Sequence, residues 1–334
     1  MQLNKYGWPK NKIRIQEPKI LYAKNVYFMP NFFWRKIYLC IDLLNFRVLR
    51  KWYMDKFVEN FTLKLFLKFY FLTIPQSLFY IFIKLHFTFS KKIKIKFRDT
   101  DVVLFGPYLS NHAHKIIDYL LRLVFIKKQK ISRVFLPDQL KLLVKATRTD
   151  YLLKDKKIHY FKSNKNYIFE NVNYLSHIDT RFYNPIFKKC TEKYKKFLTK
   201  NNYIKNNKFK YILISRNCTN RKLINENELF KLIRPLGFLK INFEDLSLKK
   251  QIEISQNAEI IVGYHGAGLS NCFFMKKNKI VIEIMNKNYN HPIYKICAQI
   301  LELNYKKFLC LKNYRNFDGI CDAEKITKYI NTLM

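Results

Sequence analysis

Residues Ala258 to Met285 read AEIIVGYHGAGLSNCFFMKKNKIVIEIM, which has the form of a strand, a glycine-bearing turn, a helix and a second strand. Ala258 to Val262 is an apolar run of strand length. Gly263, Gly266 and Gly268 supply the small or positive-φ positions at which backbone amides can approach an anion closely. His265 sits at the tip of the turn. Leu269 to Met275 reads as the start of a helix whose first N–H groups and positive dipole end point at the occupant of the turn. Ile280 to Ile284 is a second buried strand, and it carries Glu283, an acid suited to accept ribose hydroxyls. Two glycines alone occur in many tight turns. Strand, His-Gly-Ala-Gly, helix and strand-borne Glu together are far more restrictive and predict a unit that holds a phosphate.

Outward from this stretch the chain alternates strands and helices. Upstream, the pattern gives a strand at Val102 to Phe105, a helix from about His112 to Phe125 and a strand at Ser132 to Leu136. Tyr194 to Asn207, rich in Lys and Asn, reads as the connection between domains. Then come a strand at Tyr211 to Ser215, a helix from Glu226 to Leu236 closed by Gly237 as a C-cap, and a helix from Leu248 to Asn257. After the quoted stretch, Ile293, Ile296, Cys297, Ile300 and Leu301 line one face of an amphipathic helix, and Tyr305 to Leu311 is read as a final strand. The alternation predicts an α/β fold with a parallel doubly wound sheet in the C-terminal half, binding ligands outside the carboxyl ends of its strands. Met1 to Arg98, dense in Lys and aromatic residues, offers no nameable chemistry.

Three segments occur in a telling order. The first is Asn111-His112-Ala113-His114-Lys115-Ile116-Ile117-Asp118; the second is Ile214-Ser215-Arg216 with Arg221, Asn225-Glu226 and Glu228-Leu229; the third is His-Gly-Ala-Gly-Leu-Ser-Asn at 265–271 followed by Val281-Ile282-Glu283-Ile284. Together they resemble the hallmark segments of glycosyltransferase family 61, over roughly Val102 to Leu311 and most closely from Lys210 onward. The first segment departs from the pattern, with Lys115 where Trp is usual and a second histidine at 112. The resemblance implies a GT-B type architecture, two Rossmann-like domains facing across a cleft. In this chain that gives a basic, aromatic-rich N-terminal region at 1–98, an acceptor domain at 99–200 and a nucleotide-sugar-binding domain at 201–334. It also implies an inverting, metal-independent transfer from a nucleotide sugar, read as a UDP-sugar, to a glycan or lipid-linked acceptor in the assembly of a surface polysaccharide.

Such a transfer needs a stabilised diphosphate leaving group and a base for the acceptor hydroxyl. Asp99-Thr100-Asp101 is an isolated pair in a Lys/Arg-rich region and makes no convincing metal site, so no metal and no cofactor are expected, and protein cations take the role of the ion. Arg216 at a strand end and Arg221 in the following loop suit bidentate contacts to phosphate oxygens. His265 and the amides of Gly266, Ala267, Gly268 and Leu269 complete the cradle, with Asn271 and Glu283 added by the resemblance. Asn225 and Glu226, at a helix start, read as capping residues. His114 and Asp118 lie at i and i+4, so the carboxylate can orient the imidazole as a base; His112 competes for the role. His86, His159, His177 and His291 show no partner pattern.

Composition bounds these readings. The 334 residues suffice for two domains, and 49% hydrophobic with 17% aromatic residues excludes a disordered chain. Lys+Arg 63 against Asp+Glu 24 gives a net charge of +39, spread along the chain. That spread argues against a nucleic-acid-binding arm and leaves two readings open, an AT-rich coding bias and attraction to an anionic membrane. Seven cysteines without a CxxC pair fit neither a disulfide framework nor a zinc site and suit a reducing cytosol. The first residues lack the apolar core of a leader, so the expected place is the cytoplasm, including the inner face of its membrane. Phe69 to Ile83 is apolar but interrupted by Pro75 and shorter than the roughly 20 residues that span a bilayer, which leaves a buried element or an interfacial patch. A dehydrogenase lacks its early Gly-x-Gly-x-x-Gly. A basic nucleic-acid-binding protein and a catalytically inactive nucleotide-binding family member remain as rivals, separable by oligonucleotide binding and by nucleotide release.

Overall fold

The computed structural model describes residues 20–32, 37–42, 47–48, 84–104, 112–127, 129–175, 192, 207–216, 221–289, 292–314 and 316–334. The apolar run at 69–83, His177, His291 and all but the last residue of the connection at 194–207 lie outside them. The chain divides into two compact units, Gln16–Asp179 and Thr180–Met334, the latter taking in Met1–Ile15.

The Thr180–Met334 unit is built on β9 (Tyr211–Ser215), β10 (Phe238–Asn242), β11 (Ile260–Tyr264), β12 (Ile280–Met285) and β13 (Asn304–Leu309), a five-stranded sheet in the order β10-β9-β11-β12-β13. Every pairing is parallel. The three central strands, β9, β11 and β12, are buried on both sides and read as near-continuous apolar runs, whereas the edge strands β10 and β13 are partly exposed and carry lysines. One face packs Leu213, Val262, Ile282 and Ile284 against Leu229 and Ile233 of α4 (Glu226–Ile233) and Ile326 and Ile330 of α7 (Ala323–Asn331). The helix from Glu226 continues as a 3₁₀ turn to Leu236 and stops at Gly237, whose φ of 86° is the left-handed C-cap expected there. The helix α5 (Leu248–Asn257) has the expected bounds, with Ser247 accepting from the Lys250 amide at its start.

Three expectations change. The strand read at 258–262 runs instead over Ile260–Tyr264, because Ala258 still closes α5 through its N–H to Ile254 and pairing with β12 carries the strand on through Gly263 and Tyr264. Asn225 stands at the N-cap of α4 but does not cap it. Its amide group meets both backbone groups of Cys321, donating to the carbonyl at 3.0 Å and accepting from the N–H at 2.9 Å. The closing helix α7 follows the final strand without having been expected.

In the Gln16–Asp179 unit, β1 (Ile20–Phe32) pairs antiparallel with β8 (Asn166–Leu175), while β4 (Lys92–Lys96) and β5 (Asp101–Val103) pair parallel with it. β6 (Arg133–Pro137) and β7 (Lys157–Phe161) extend the sheet beyond β5, and β2 (Ile37–Asp42) and β3 (Arg47–Val48) beyond β1, in the order β3-β2-β1-β8-β5-β6-β7. Phe28, Phe161, Tyr167 and Phe169 form its aromatic core. His86 and His159 have structural settings, the first bonded to Tyr27 and the second stacked on Phe135 at 4.9 Å.

Asp101 is a fold residue. It is 1% exposed, accepts from the Arg98 amide at 2.7 Å and is held by the Arg133 guanidinium through both oxygens. Asp101→Asn keeps the shape but loses the charge, and should lower the unfolding free energy by about 1 to 2 kcal/mol. Unchanged denaturant unfolding in that variant would show that the pair contributes nothing.

Candidate functional site

The strand order of the five-stranded sheet selects one place for a ligand. The chain leaves β9 for β10 on one side and returns to β11 on the other, so the crossovers diverge at the carboxyl ends of β9 and β11. A crevice opens at such a switch point. Arg216 directly follows β9, and His265-Gly266 directly follow β11.

The turn begins an eight-residue 3₁₀ helix, Ala267–Phe274, tighter than the α-helix the sequence suggested. Its first internal bond runs from the Leu269 N–H to the Gly266 carbonyl at 3.1 Å. The Leu269 amide is thus used within the turn, and the N–H groups of Gly266, Ala267 and Gly268 precede the first bond and carry the positive dipole end. Asn271 is fully buried and donates to Gln251 and to the Gly268 carbonyl, which fixes the turn from below.

The glycines serve space, not handedness. Gly266 has a φ of 174°, which any residue adopts, so of the two reasons expected of these glycines, small size or positive φ, small size is the one that applies there. A Cβ there would stand 1.8 Å from Arg216 Nη1, one at Gly268 would stand 2.9 Å from Ile214, and one at Gly263 would press on Leu269 at 3.0 Å. Arg216 lies across the Gly266 backbone and donates from Nη1 to the His265 carbonyl at 2.6 Å. One guanidinium therefore ties the two strand ends together.

His265 is the most constrained side chain of the site. It is 5% exposed, its N–H donates to the Ile284 carbonyl at 2.8 Å, and its Nδ1 meets Glu283. Its ring lies 4.8 Å from that of Tyr289 and 5.2 Å from that of Tyr294, whose hydroxyl donates to the Gly266 carbonyl at 2.5 Å. Glu283 is fully buried, and its second oxygen accepts from the Tyr305 hydroxyl. Burial and the neighbouring Glu283 push the Tyr305 phenol well up, so it remains a donor. In this arrangement Glu283 orients the His265 ring.

Arg221 has φ 61°, a left-handed conformation uncommon for a residue with a side chain. The loop holds it there: the Lys222 N–H donates to Asp318 at 2.6 Å, and Lys222 and Ile224 bracket Gly319 with backbone bonds of 2.9 Å. Its guanidinium sits 5.2 Å over the Tyr289 ring, and that ring meets the tilted His265 ring, so Arg221, Tyr289 and His265 form one row of contacts.

The sequence singled out none of Tyr289, Tyr294 and Tyr305. One signal existed for Tyr305: β12 and β13 pair with Val281 beside Tyr305, and period two puts Glu283 on that same face, within diagonal reach of a long ring.

The other predicted pair lies in the Gln16–Asp179 unit. The helix is continuous from His112–His114 through a π-helical stretch, Lys115–Leu120, to Leu121–Ile126. The backbones of His114 and Asp118 fall in it, but their side chains lie outside the described residues. A π stretch is rare and concentrates at functional sites. Arg122 in the next turn is fully buried, donates to the Leu175 carbonyl at 3.4 Å and stacks 4.6 Å from the Tyr119 ring. Among the described residues no three His, Cys, Asp or Glu side chains converge as metal ligands.

The profile of the family described as Glycosyltransferase 61 matches residues 112–282, just over half of the 334 residues, from the π-containing helix to β12. The EGF domain-specific O-linked N-acetylglucosamine transferase of Gallus gallus is 29% identical over 87 residues, 25% of this chain and 16% of that protein. Its Canis lupus familiaris counterpart is 30% identical over the same shares of each chain. The Beta-1,2-xylosyltransferase of Arabidopsis thaliana is 29% identical over 125 residues, 34% of this chain and 23% of that protein. The chain thus aligns with only 16% to 23% of the length of these relatives.

Proposed function

Because the chain belongs to glycosyltransferase family 61, we propose that it transfers a sugar with inversion from a nucleotide sugar, a UDP-sugar in the simplest case, to a glycan or lipid-linked acceptor of a surface polysaccharide. The observation that carries this reading is the Arg216 guanidinium laid across the Gly266 backbone at the switch point between β9 and β11. In this reading Arg216, which bonds the His265 carbonyl, Arg221, which lies over the Tyr289 ring beside His265, and the amides of Gly266 to Gly268 hold the diphosphate together, and His265 adds a ring held by Glu283. In the mechanism proposed, the diphosphate leaves from this place and its growing charge meets cations and N–H dipoles that are already oriented. His114, oriented by Asp118, takes the proton of the acceptor hydroxyl as that oxygen attacks the anomeric carbon from the opposite side. The two units then act as the donor and acceptor halves of a GT-B type enzyme working in the cytoplasm.

A specific observation favours a second reading, a family member that binds nucleotide without turning it over. Lys115 stands in the π stretch where Trp is usual, and partial burial lowers its ammonium pKa. The readings separate on nucleotide release with acceptor present.

The direct test is thermal unfolding with nucleoside diphosphates and nucleotide sugars, each with and without EDTA. A true ligand at a hundred times its dissociation constant should add about 2.7 kcal/mol, a shift of several degrees. Because arginines and N–H dipoles occupy the place of a metal, the shift and the turnover should survive EDTA. Turnover lost in EDTA and restored by Mn²⁺ would sink the metal-independent mechanism, and no shift with any nucleotide would sink the donor site.

A further inference from the structure

The helix at 84–89 lies over one face of the sheet in the Gln16–Asp179 unit. The Tyr27 hydroxyl bonds His86 Nδ1 at 2.8 Å and Ser90 Oγ at 2.9 Å, and its ring meets Phe87 edge-on at 5.0 Å. His86, Phe87 and Ser90 therefore face the sheet. Leu85 and Phe89, one helical turn apart, face away from it and are 52% and 81% exposed. Tyr27 and Lys94 both pair with Ile168, so Lys94, and Lys96 two residues on, stand on the face that carries the helix. Lys92 bends back over the Phe87 ring at 4.6 Å. Lys84, Lys91, Lys94 and Lys96 are exposed, and from 84 to 98 the chain, KLHFTFSKKIKIKFR, has no acidic residue.

We propose that this face docks on an anionic lipid surface, with Phe89 and Leu85 entering the headgroup boundary and the lysines pairing with lipid phosphates. The chemistry selects this occupant. Protein interfaces are depleted of Lys, and Leu85 offers a nucleic acid neither a stacking plane nor a hydrogen bond. Apolar side chains projecting beside cations suit the membrane interface, and although Glu170 stands across from Lys96 on this face, the lysines outnumber it. The inference goes beyond the transfer reaction and does not depend on it.

The test is sedimentation of the full chain with vesicles of phosphatidylcholine alone and of phosphatidylcholine with about a third phosphatidylglycerol. Binding should need the anionic lipid. Leu85→Ser with Phe89→Ser should weaken it by about tenfold, and Lys94→Glu with Lys96→Glu by roughly twentyfold. Lys325→Glu with Lys328→Glu, exposed on α7 in the other unit, makes the same change in net charge and should do little. Unfolding midpoints verify that each variant is folded. Equal losses from the two lysine pairs would mean diffuse charge alone and overturn the proposal. So would undiminished binding after removal of Leu85 and Phe89, or a single-stranded oligonucleotide that displaces the vesicles.

Discussion

His114→Ala is expected to lower turnover by about 10² to 10⁴ while leaving nucleotide affinity nearly intact, since a positioned base acts on the acceptor proton and not on the donor phosphates. A substitution at His265 should fail differently. Its ring stands in the turn at the carboxyl end of β11, with the amides that precede the first 3₁₀ bond, so both nucleotide affinity and turnover should fall. His265→Gln is a cleaner variant than alanine because it keeps a donor for the buried Glu283. Calorimetric titration with the nucleoside diphosphate, beside initial rates, separates the two effects once both variants are shown to unfold within a few degrees of the parent. If His114→Ala keeps parental turnover and His112→Ala does not, the base is the other histidine of the pair. If both keep it, Asp118 acting alone is the next residue to remove.

The legible parts of this fold are those fixed by local chemistry. α5 starts on the Ser247 cap, Gly237 stops its helix in a left-handed conformation that glycine, having no Cβ, adopts without strain, and β9 is a five-residue apolar run. α7 was equally legible: Asp322 caps it by accepting from the Lys325 amide, and Ala323, Ile326 and Ile330 form its buried face. What sequence could not give depends on partners far along the chain. The bounds of β11 follow from pairing with β12, and β1 joins its sheet only through β8. The glycine turn was found for its composition, yet two of its physical reasons differ from the expected ones. Gly266 and Gly268 make room for Arg216 and Ile214, and the helix after them is 3₁₀. The aromatic cage shows the same limit. Tyr289, Tyr294 and Tyr305 reach His265 and Glu283 from three different elements, and only folding brings them together.

Arg216→Ala should cost roughly 1.5 to 3 kcal/mol of nucleotide diphosphate binding, the usual worth of hydrogen bonds to a charged group, which is about a 10- to 150-fold rise in Kd. The truncation also removes the bond from Nη1 to the His265 carbonyl. Part of the loss could then come from a loosened turn, and a second variant separates the two. Gly266→Ala keeps the arginine but puts a methyl group where Nη1 now lies. The guanidinium is the flexible end of its side chain, so it should swing away, leaving the fold stable and the anion without its partner. Both substitutions act through one group, so the double variant should lose much less than the sum of the two single losses. Full additivity, with a coupling below about 0.5 kcal/mol, would mean that Arg216 and the turn act on the ligand independently. Unchanged affinity in Arg216→Ala would remove this residue from the donor site and, with it, the observation on which the proposed function rests.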